Sequence, residues 1–477
     1  MKTKYTICSA PCTRIGAGAL AFLFLCSYAV CLGGVEGVSP SNRGQDARDT
    51  AVGIVLDILR SNDQEMQAAA IAMVKEMPGT EVTKALAKEL PNLSAKSQVQ
   101  LLSALGDRGD VAARPAVVAA VKSEDESVRI AALRALGQLG DDSNVELLAQ
   151  AAAGARGAEQ KAARDSLYRL RGPDVDKVIL ATIPKAEAKT KVELISSVGQ
   201  RNITAGVDTL LQTAKDSDRK VRTGSLRTLK VVAGPENLPA LVELLINAKS
   251  SSDRTEAQKT IAAVAHRITE KNRQAESVLA VLPSVKETAA RCSLLNVLGR
   301  IGDNTALPVL TAALKDENVD IQTAAIRALA DWPTPEPVAE LLKIAENSTN
   351  KVHRILALRG FVRLLAFASG RPAAEAIEMY KKAMSLAPDT GEKKRVLSGL
   401  ANTKSLAAMQ MAAGYLNDET LSVEAGAAVV NIAGGIYTDY PEQAKNMMNQ
   451  IIKTTKSDSL RQQAQGVINN FEQNEEK

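Results

Sequence analysis

Aliphatic residues recur along this chain with a period of about 31 residues. Counted from Leu136, an aliphatic residue stands at every 31st position from residue 74 to residue 229. Beyond residue 229 the spacing varies from 30 to 39 residues. The positions that fit best, called anchors below, are Val74, Leu105, Leu136, Leu167, Val198, Leu229, Val264, Leu298, Leu329, Phe361, Leu400, Val430 and Ile468. They predict about 13 repeated units.

Each unit has the pattern of two short amphipathic helices joined by a turn. In the segment SVRIAALRALGQLG at 127–140, apolar residues recur at intervals of three and four, as on one face of a helix. A turn rich in Asp, Ser and Asn follows, and a second apolar stretch, VELLAQAA, begins at residue 145. Glycine often follows the anchor directly, at Gly106, Gly137, Gly199 and Gly299. Two helices of about three turns each, with two short turns, account for the period.

The repeated units predict an all-α body. No convincing run of alternating β-branched residues, the signal of a strand, interrupts them. Because a two-helix unit of this size cannot bury its apolar face alone, neighbouring units must stack on one another. Aromatic residues are only 3% of the chain, so this packing depends on aliphatic and small residues, and alanine allows helices to approach closely.

The N-terminus has a different composition. Lys2, Lys4 and Arg14 precede an apolar run at 15–32, which is the layout of a secretory signal peptide over 1–34. The run is also about long enough to remain as a membrane anchor. A lipid on Cys31 is a third alternative, although the preceding YAV departs from a bacterial lipobox.

The flanking segments complete the predicted organisation. Small and polar residues at 35–54 predict a flexible linker, the repeats occupy 55–471, and a polar tail ends the chain at 472–477.

Charge and cysteine content narrow the classes of function. The net charge of +5 falls to about +2 when the three basic residues of the leader are removed, so nothing favours a nucleic-acid partner. Four of the five cysteines lie in the leader, which leaves Cys292 alone in the body. One thiol cannot form a disulfide framework, and we expect a small buried residue at this position.

The phrases VRIAALRALGQLGDD and IQTAAIRALADWP resemble short bacterial HEAT-like repeats. We therefore predict a right-handed α-solenoid of stacked two-helix HEAT-like repeats. The resemblance implies a ladder of Asp and Arg between adjacent repeats, here at Asp125 with Arg129 and at Asp218 with Arg222. Gln98, Gln160 and Gln322 replace the arginine in three copies and interrupt the ladder. The segment AAEAIEMYKKAMSLAPDT at 373–390 also resembles the second helix of a tetratricopeptide repeat; an enlarged HEAT-like unit is the alternative.

Two longer stretches are similar to exported HEAT-repeat proteins of bacteria. They are WPTPEPVAELLKIAENSTNKVHRILALRGFVRLL and EKKRVLSGLANTKSLAAMQMAAGYL. Such proteins are often joined to keto-disaccharide hydrolase or haem c modules. The sequence has neither module and no CxxCH motif, so the resemblance implies that such a partner acts in trans.

Residues with catalytic or metal-binding chemistry are sparse. The two histidines, His266 and His353, are 87 residues apart and lie in different units, so we predict no zinc site and no Ser/His or Cys/His pair. We predict no catalytic, cofactor-binding or metal-binding residue. Partner-binding candidates are an arginine stripe at equivalent positions of four units and a tryptophan in a proline-rich break, namely Arg134, Arg227, Arg327, Arg359 and Trp332. The alternatives are solvated or inter-repeat arginines and a tryptophan that packs a loop.

The sequence therefore predicts a non-catalytic scaffold that binds a protein partner along the solenoid surface. The predicted location is the periplasm or cell envelope, with membrane attachment only through an uncleaved or lipidated N-terminus. One alternative is an enzyme, or the accessory subunit of an enzyme, in carbohydrate processing. A second alternative is a structural spacer of the envelope.

Overall fold

A computed structural model describes residues 52–61, 63–74, 77, 79–367 and 371–475. These residues form 26 α-helices and no β-strand. Helices α1 to α26 span, in chain order, 52–60, Gln64–Met73, Thr80–Glu89, Ala95–Arg108, Arg114–Ala120, Glu126–Leu139, Val145–Gly154, Gly157–Arg169, Val175–Thr182, Ala188–Gln200, Val207–Thr213, Arg219–Val232, Leu238–Ile246, Ser251–Ala265, Glu276–Val281, Thr288–Ile301, Leu307–Ala313, Val319–Ala330, Val338–Asn347, Lys351–Leu365, Ala373–Leu386, Thr390–Leu400, Leu406–Ala413, Ser422–Ile436, Pro441–Thr454 and Asp458–Glu475.

From α2 onward the helices alternate between two structural roles. Each even-numbered helix from α2 to α24 is the first of a pair, and α26 is the last helix of the described residues. Each of these thirteen helices contains an anchor, except that Val74 directly follows α2. All thirteen anchors are buried, with at most 6% of their surface exposed. The helical pairs and their number confirm the predicted all-α solenoid of about 13 units.

The chain divides into two compact units, Met1–Thr209 and Leu210–Lys477, and the division falls within α11. In the first unit, α2, α4, α6 and α8 each contact the next even-numbered helix, up to α10. In the second unit, the even-numbered helices from α12 to α26 do the same. The core of each unit therefore lies between these first helices and the second helices of their pairs.

The predicted Asp–Arg ladder has a different form in the structure. The Asp125 carboxylate accepts hydrogen bonds from the backbone N–H groups of Ser127 and Val128, so it caps α6. The Arg129 guanidinium donates to two carbonyl oxygens of the preceding loop and, at 2.8 and 2.9 Å, to the carboxylate of Glu159 in the next pair. These hydrogen bonds from Arg129 lower the pKa of Glu159. The inter-repeat bond therefore joins Arg129 to Glu159.

The second predicted copy of the ladder requires the same correction. Asp218 caps α12, and Arg222 Nε donates to the Asp253 carboxylate of the next pair at 2.9 Å. The glutamines retain one contact of the arginine, the hydrogen bond to a preceding carbonyl. Gln98, Gln160 and Gln322 each donate to a backbone carbonyl before their own helix, those of Leu93, Ala152 and Asp316.

A second set of arginines, which the sequence analysis missed, binds the C-terminal ends of first helices. Arg108 donates to the Val74 carbonyl, Arg201 to Tyr168 and Leu170, Arg267 to Lys230 and Val231, and Arg363 to Ala330, at 2.6–3.0 Å. In each case the arginine lies at the end of one first helix and its acceptors lie at the end of the preceding first helix. Since those carbonyls have no partner within their helix and carry its negative dipole end, the guanidinium stabilises the stack.

The described residues include only part of the predicted flanking segments. The predicted leader at 1–34 lies outside them, whereas the last residues of the predicted linker at 35–54 belong to α1. At the other end, α26 continues through the first residues of the predicted tail, to Glu475. The tetratricopeptide-like segment at 373–390 contains α21, which is 14 residues long and is the second helix of its pair with α20.

Candidate interaction surface

Trp332, predicted as a candidate partner anchor, is buried. None of its surface is exposed, and its indole N–H has no hydrogen-bond acceptor among the described residues. The residue follows α18, where its carbonyl oxygen accepts a hydrogen bond from Arg363 of the next pair. Trp332 therefore packs the core of the second unit, and the structure excludes it as an exposed anchor.

The four candidate arginines of the stripe differ in their contacts. Arg359 Nε donates to the Glu392 carboxylate at 3.0 Å, and Arg227 Nε lies 3.5 Å from Glu256. Both carboxylates belong to the following pair, so these two arginines connect neighbouring repeats. Arg134 and Arg327 are exposed, and within the described ranges no carboxylate lies at ion-pair distance from either. The structure does not arrange these four residues as a single free basic surface.

The histidines and the cysteine occupy separate structural positions. His266 Nε2 lies 2.9 Å from the Ile301 carbonyl oxygen, and His353 is buried with Nε2 at 2.9 Å from Thr323 Oγ1. Burial lowers the pKa of His353 and raises the pKa of the Cys292 thiol. Cys292 is half-buried, whereas the sequence predicted a buried residue. In the described part of the chain, no group of three His, Cys, Asp or Glu residues could hold a metal ion.

An open groove of about 720 Å³ lies between the second helices α13 and α15. Its apolar lining comes from Pro235, Leu238, Pro239, Ile268, Ala280 and Val281, and its polar lining from Glu236, Arg267, Thr269, Glu270, Arg273, Glu276 and Ser277. Ala280 and Pro239 are exposed to solvent. The groove thus presents an accessible apolar floor with charged residues around it.

The groove exists because one connection is longer than its equivalents. The chain between α14 and α15 runs from 266 to 275, whereas the equivalent connections at 140–144, 233–237 and 302–306 are half as long. The extra residues form a wall that faces the start of α13. Sequence analysis missed these residues, although the anchor spacing widens here from 31 to 35 and 34 residues. That wider spacing was the sign, in the sequence, of a longer connection.

Comparison with protein families gives a match to HEAT repeats at residues 83–167, 175–262 and 275–361, together more than half of the chain. The matched segments include most of α14 and all of α15, whereas residues 263–274, which form nearly all of the long connection, lie between two matches. A comparison with curated proteins found no match.

Solved structures resemble the chain in fold. Kap121p bound to Pho4p has a TM-score of 0.53 and 11% identity, over 94% of this chain and 56% of that one. The karyopherin Kap121p bound to the SUMO protease Ulp1p has a TM-score of 0.54 and 12% identity, over 88% and 53%. Kap95p, in a structure with RanGDP, has a TM-score of 0.50 and 13% identity, over 95% and 72%. The chain spans about half the length of the Kap121p chains it matches, and identities this low show the fold alone.

Among the described residues, no helix has the length and apolar character needed to cross a bilayer.

Proposed function

The chain belongs to the HEAT repeat family, and on this premise we propose that it is a non-catalytic scaffold that binds another protein through the surface of its repeats. Stacked repeats expose a large surface, on which affinity arises from many modest contacts. Kap121p was solved in complexes with other proteins, Pho4p and the SUMO protease Ulp1p, and this supports a protein partner for this chain.

The groove between α13 and α15 is the observation that carries this proposal. Its floor is apolar and open to solvent, and exposed apolar surface beside polar residues is typical of protein-binding sites. Most other polar side chains named above instead hold neighbouring repeats together. The groove is therefore where we expect a partner to bind.

We also propose that the protein is exported to the periplasm or cell envelope. The support is the basic start and the apolar run at 15–32, which are typical of a signal peptide. Membrane attachment would then occur only through the N-terminal segment. The resemblance to exported repeat proteins supports a sugar-processing enzyme as a partner that acts in trans.

Replacement of Ala280 by arginine is expected to reduce partner capture by at least about tenfold, because a long charged side chain on the apolar floor would lose its hydration on binding. The tagged protein is expressed with its own leader in its source cells, recovered from the envelope fraction, and its crosslinked partners are quantified by mass spectrometry. Ala312→Arg is the matched control, because Ala312 is an exposed alanine of another second helix, α17.

Three results would contradict the proposals separately. A partner captured equally by the wild type and both variants would exclude the groove as the binding site, and no partner at all would exclude the scaffold. Recovery of the protein from the cytosol with its leader intact would exclude export.

A further inference from the structure

We infer that the groove between α13 and α15 binds an extended segment of a protein in which apolar residues are flanked by lysine or arginine. This inference rests on the proposed function and adds the chemistry of the partner. It rests on the carboxylates around the groove that have no cationic partner.

The apolar floor determines the first part of the partner's chemistry. Leu238 is buried at the base, whereas Pro239 and Ala280 expose carbon atoms to solvent. Ile268, from the long connection, also lines the groove. Apolar side chains of a partner would remove this surface from water, at about 25 cal/mol for each Å² buried. The groove is open to solvent, so a segment of a partner can reach this apolar surface.

The two arginines of the groove are already paired. The Arg267 guanidinium donates to the carbonyl oxygens of Lys230 and Val231, at 2.9 and 2.7 Å, at the C-terminal end of α12. The negative end of that helix dipole, equivalent to about half an elementary charge, offsets part of its positive charge. Arg273 Nε lies 3.1 Å from the Glu276 carboxylate, so these two charges offset each other.

Two carboxylates remain without a cation. Glu236 lies in the connection before α13 and Glu270 in the connection before α15, and both line the groove. Glu270 accepts a hydrogen bond from its neighbour Thr269 at 3.4 Å. In the described part of the chain, no lysine, arginine or histidine lies at ion-pair distance from either carboxylate. Each of the two connections that line the groove therefore contributes a carboxylate without a cationic partner.

This arrangement discriminates between classes of partner. A segment with Lys or Arg on each side of its apolar residues can pair with Glu236 and Glu270, and such complementary charges guide association and fix the register. An acidic segment, or the phosphates of a nucleic acid, would meet like charge at the same two positions.

Selection of binders from a displayed library of random peptides tests this inference on the full chain. We expect the selected peptides to combine apolar residues with flanking Lys or Arg. Ala280→Arg should abolish their binding, and the matched Ala312→Arg should not. In fluorescence anisotropy, the double variant Glu236→Gln/Glu270→Gln should weaken binding of the best peptide about tenfold and reduce its salt dependence. The control is Glu243→Gln/Glu317→Gln, which removes two exposed carboxylates that do not line the groove.

Several results would overturn the inference. These are selected peptides that are acidic or uncharged, the absence of any peptide that depends on Ala280, and equal affinity of the double variant and the wild type. Capture of a native partner that is lost in Ala280→Arg but unchanged in the double variant would keep the proposed function and reject the basic segment.

Discussion

Replacement of Trp332 by alanine is expected to lower the free energy of unfolding by about 3–5 kcal/mol. The side chain is completely buried, and it is the only tryptophan of the chain. Alanine would leave a cavity where the indole packs after α18, in the second unit. The measurement is urea unfolding followed by far-UV circular dichroism, which does not depend on the tryptophan itself.

Trp332→Phe serves as the control. Phenylalanine keeps much of the buried volume and removes the indole N–H, which has no acceptor in the described residues, so we expect a smaller loss than with alanine. In the wild type, iodide should quench tryptophan fluorescence weakly in the folded state and strongly in urea. An alanine variant as stable as the wild type would show that Trp332 is exposed in solution.

The second large effect is expected from Gly299→Ala, with a loss of about 1–3 kcal/mol through overpacking. Gly299 lies in α16 against α18 of the next pair. A Cβ atom at this position would lie 2.5 Å from Ala328 Cα and 2.6 Å from the Ala328 carbonyl oxygen. Because both are backbone atoms, the two helices would have to separate to accommodate a methyl group.

Gly434→Ala is the matched control and should change stability in the opposite direction. Gly434 lies inside α24, and a Cβ atom there would have no neighbour within 4 Å. Replacement of an exposed helical glycine by alanine should stabilise by roughly 0.5–1 kcal/mol. Both variants are compared in urea unfolding under the same conditions. Equal changes in the two variants would refute the close approach of α16 and α18.

The repeat and its helices could be predicted because one physical signal specifies both. An apolar position in each unit must be buried, so the period of residues such as Leu136 and Leu298 gave the number of units directly. The glycines after the anchors were also visible in the sequence. Their role was not, since the contact of Gly299 with Ala328 depends on the distance between two helices.

The site was harder to predict because side-chain partners lie about 30 residues apart. The sequence placed Arg359 and Arg134 at equivalent positions, but only the structure shows that Arg359 pairs with Glu392 of the next pair. Trp332, in a proline-rich break, was predicted as a candidate anchor, and the structure buries it. The groove depends on a long connection, for which the drift of the period at Val264 was the sole indication.

The central claim is that helical pairs about 31 residues apart stack directly on one another. A double-mutant cycle on Arg129→Ala and Glu159→Ala tests it most directly, because these residues are 30 positions apart and bonded at 2.8 Å. The account predicts a coupling energy of about 1 kcal/mol for this pair. Arg129→Ala and Glu193→Ala, whose residues lie two pairs apart, should be additive within about 0.5 kcal/mol. Additivity of Arg129 with Glu159, or coupling of Arg129 with Glu193, would contradict the stacking.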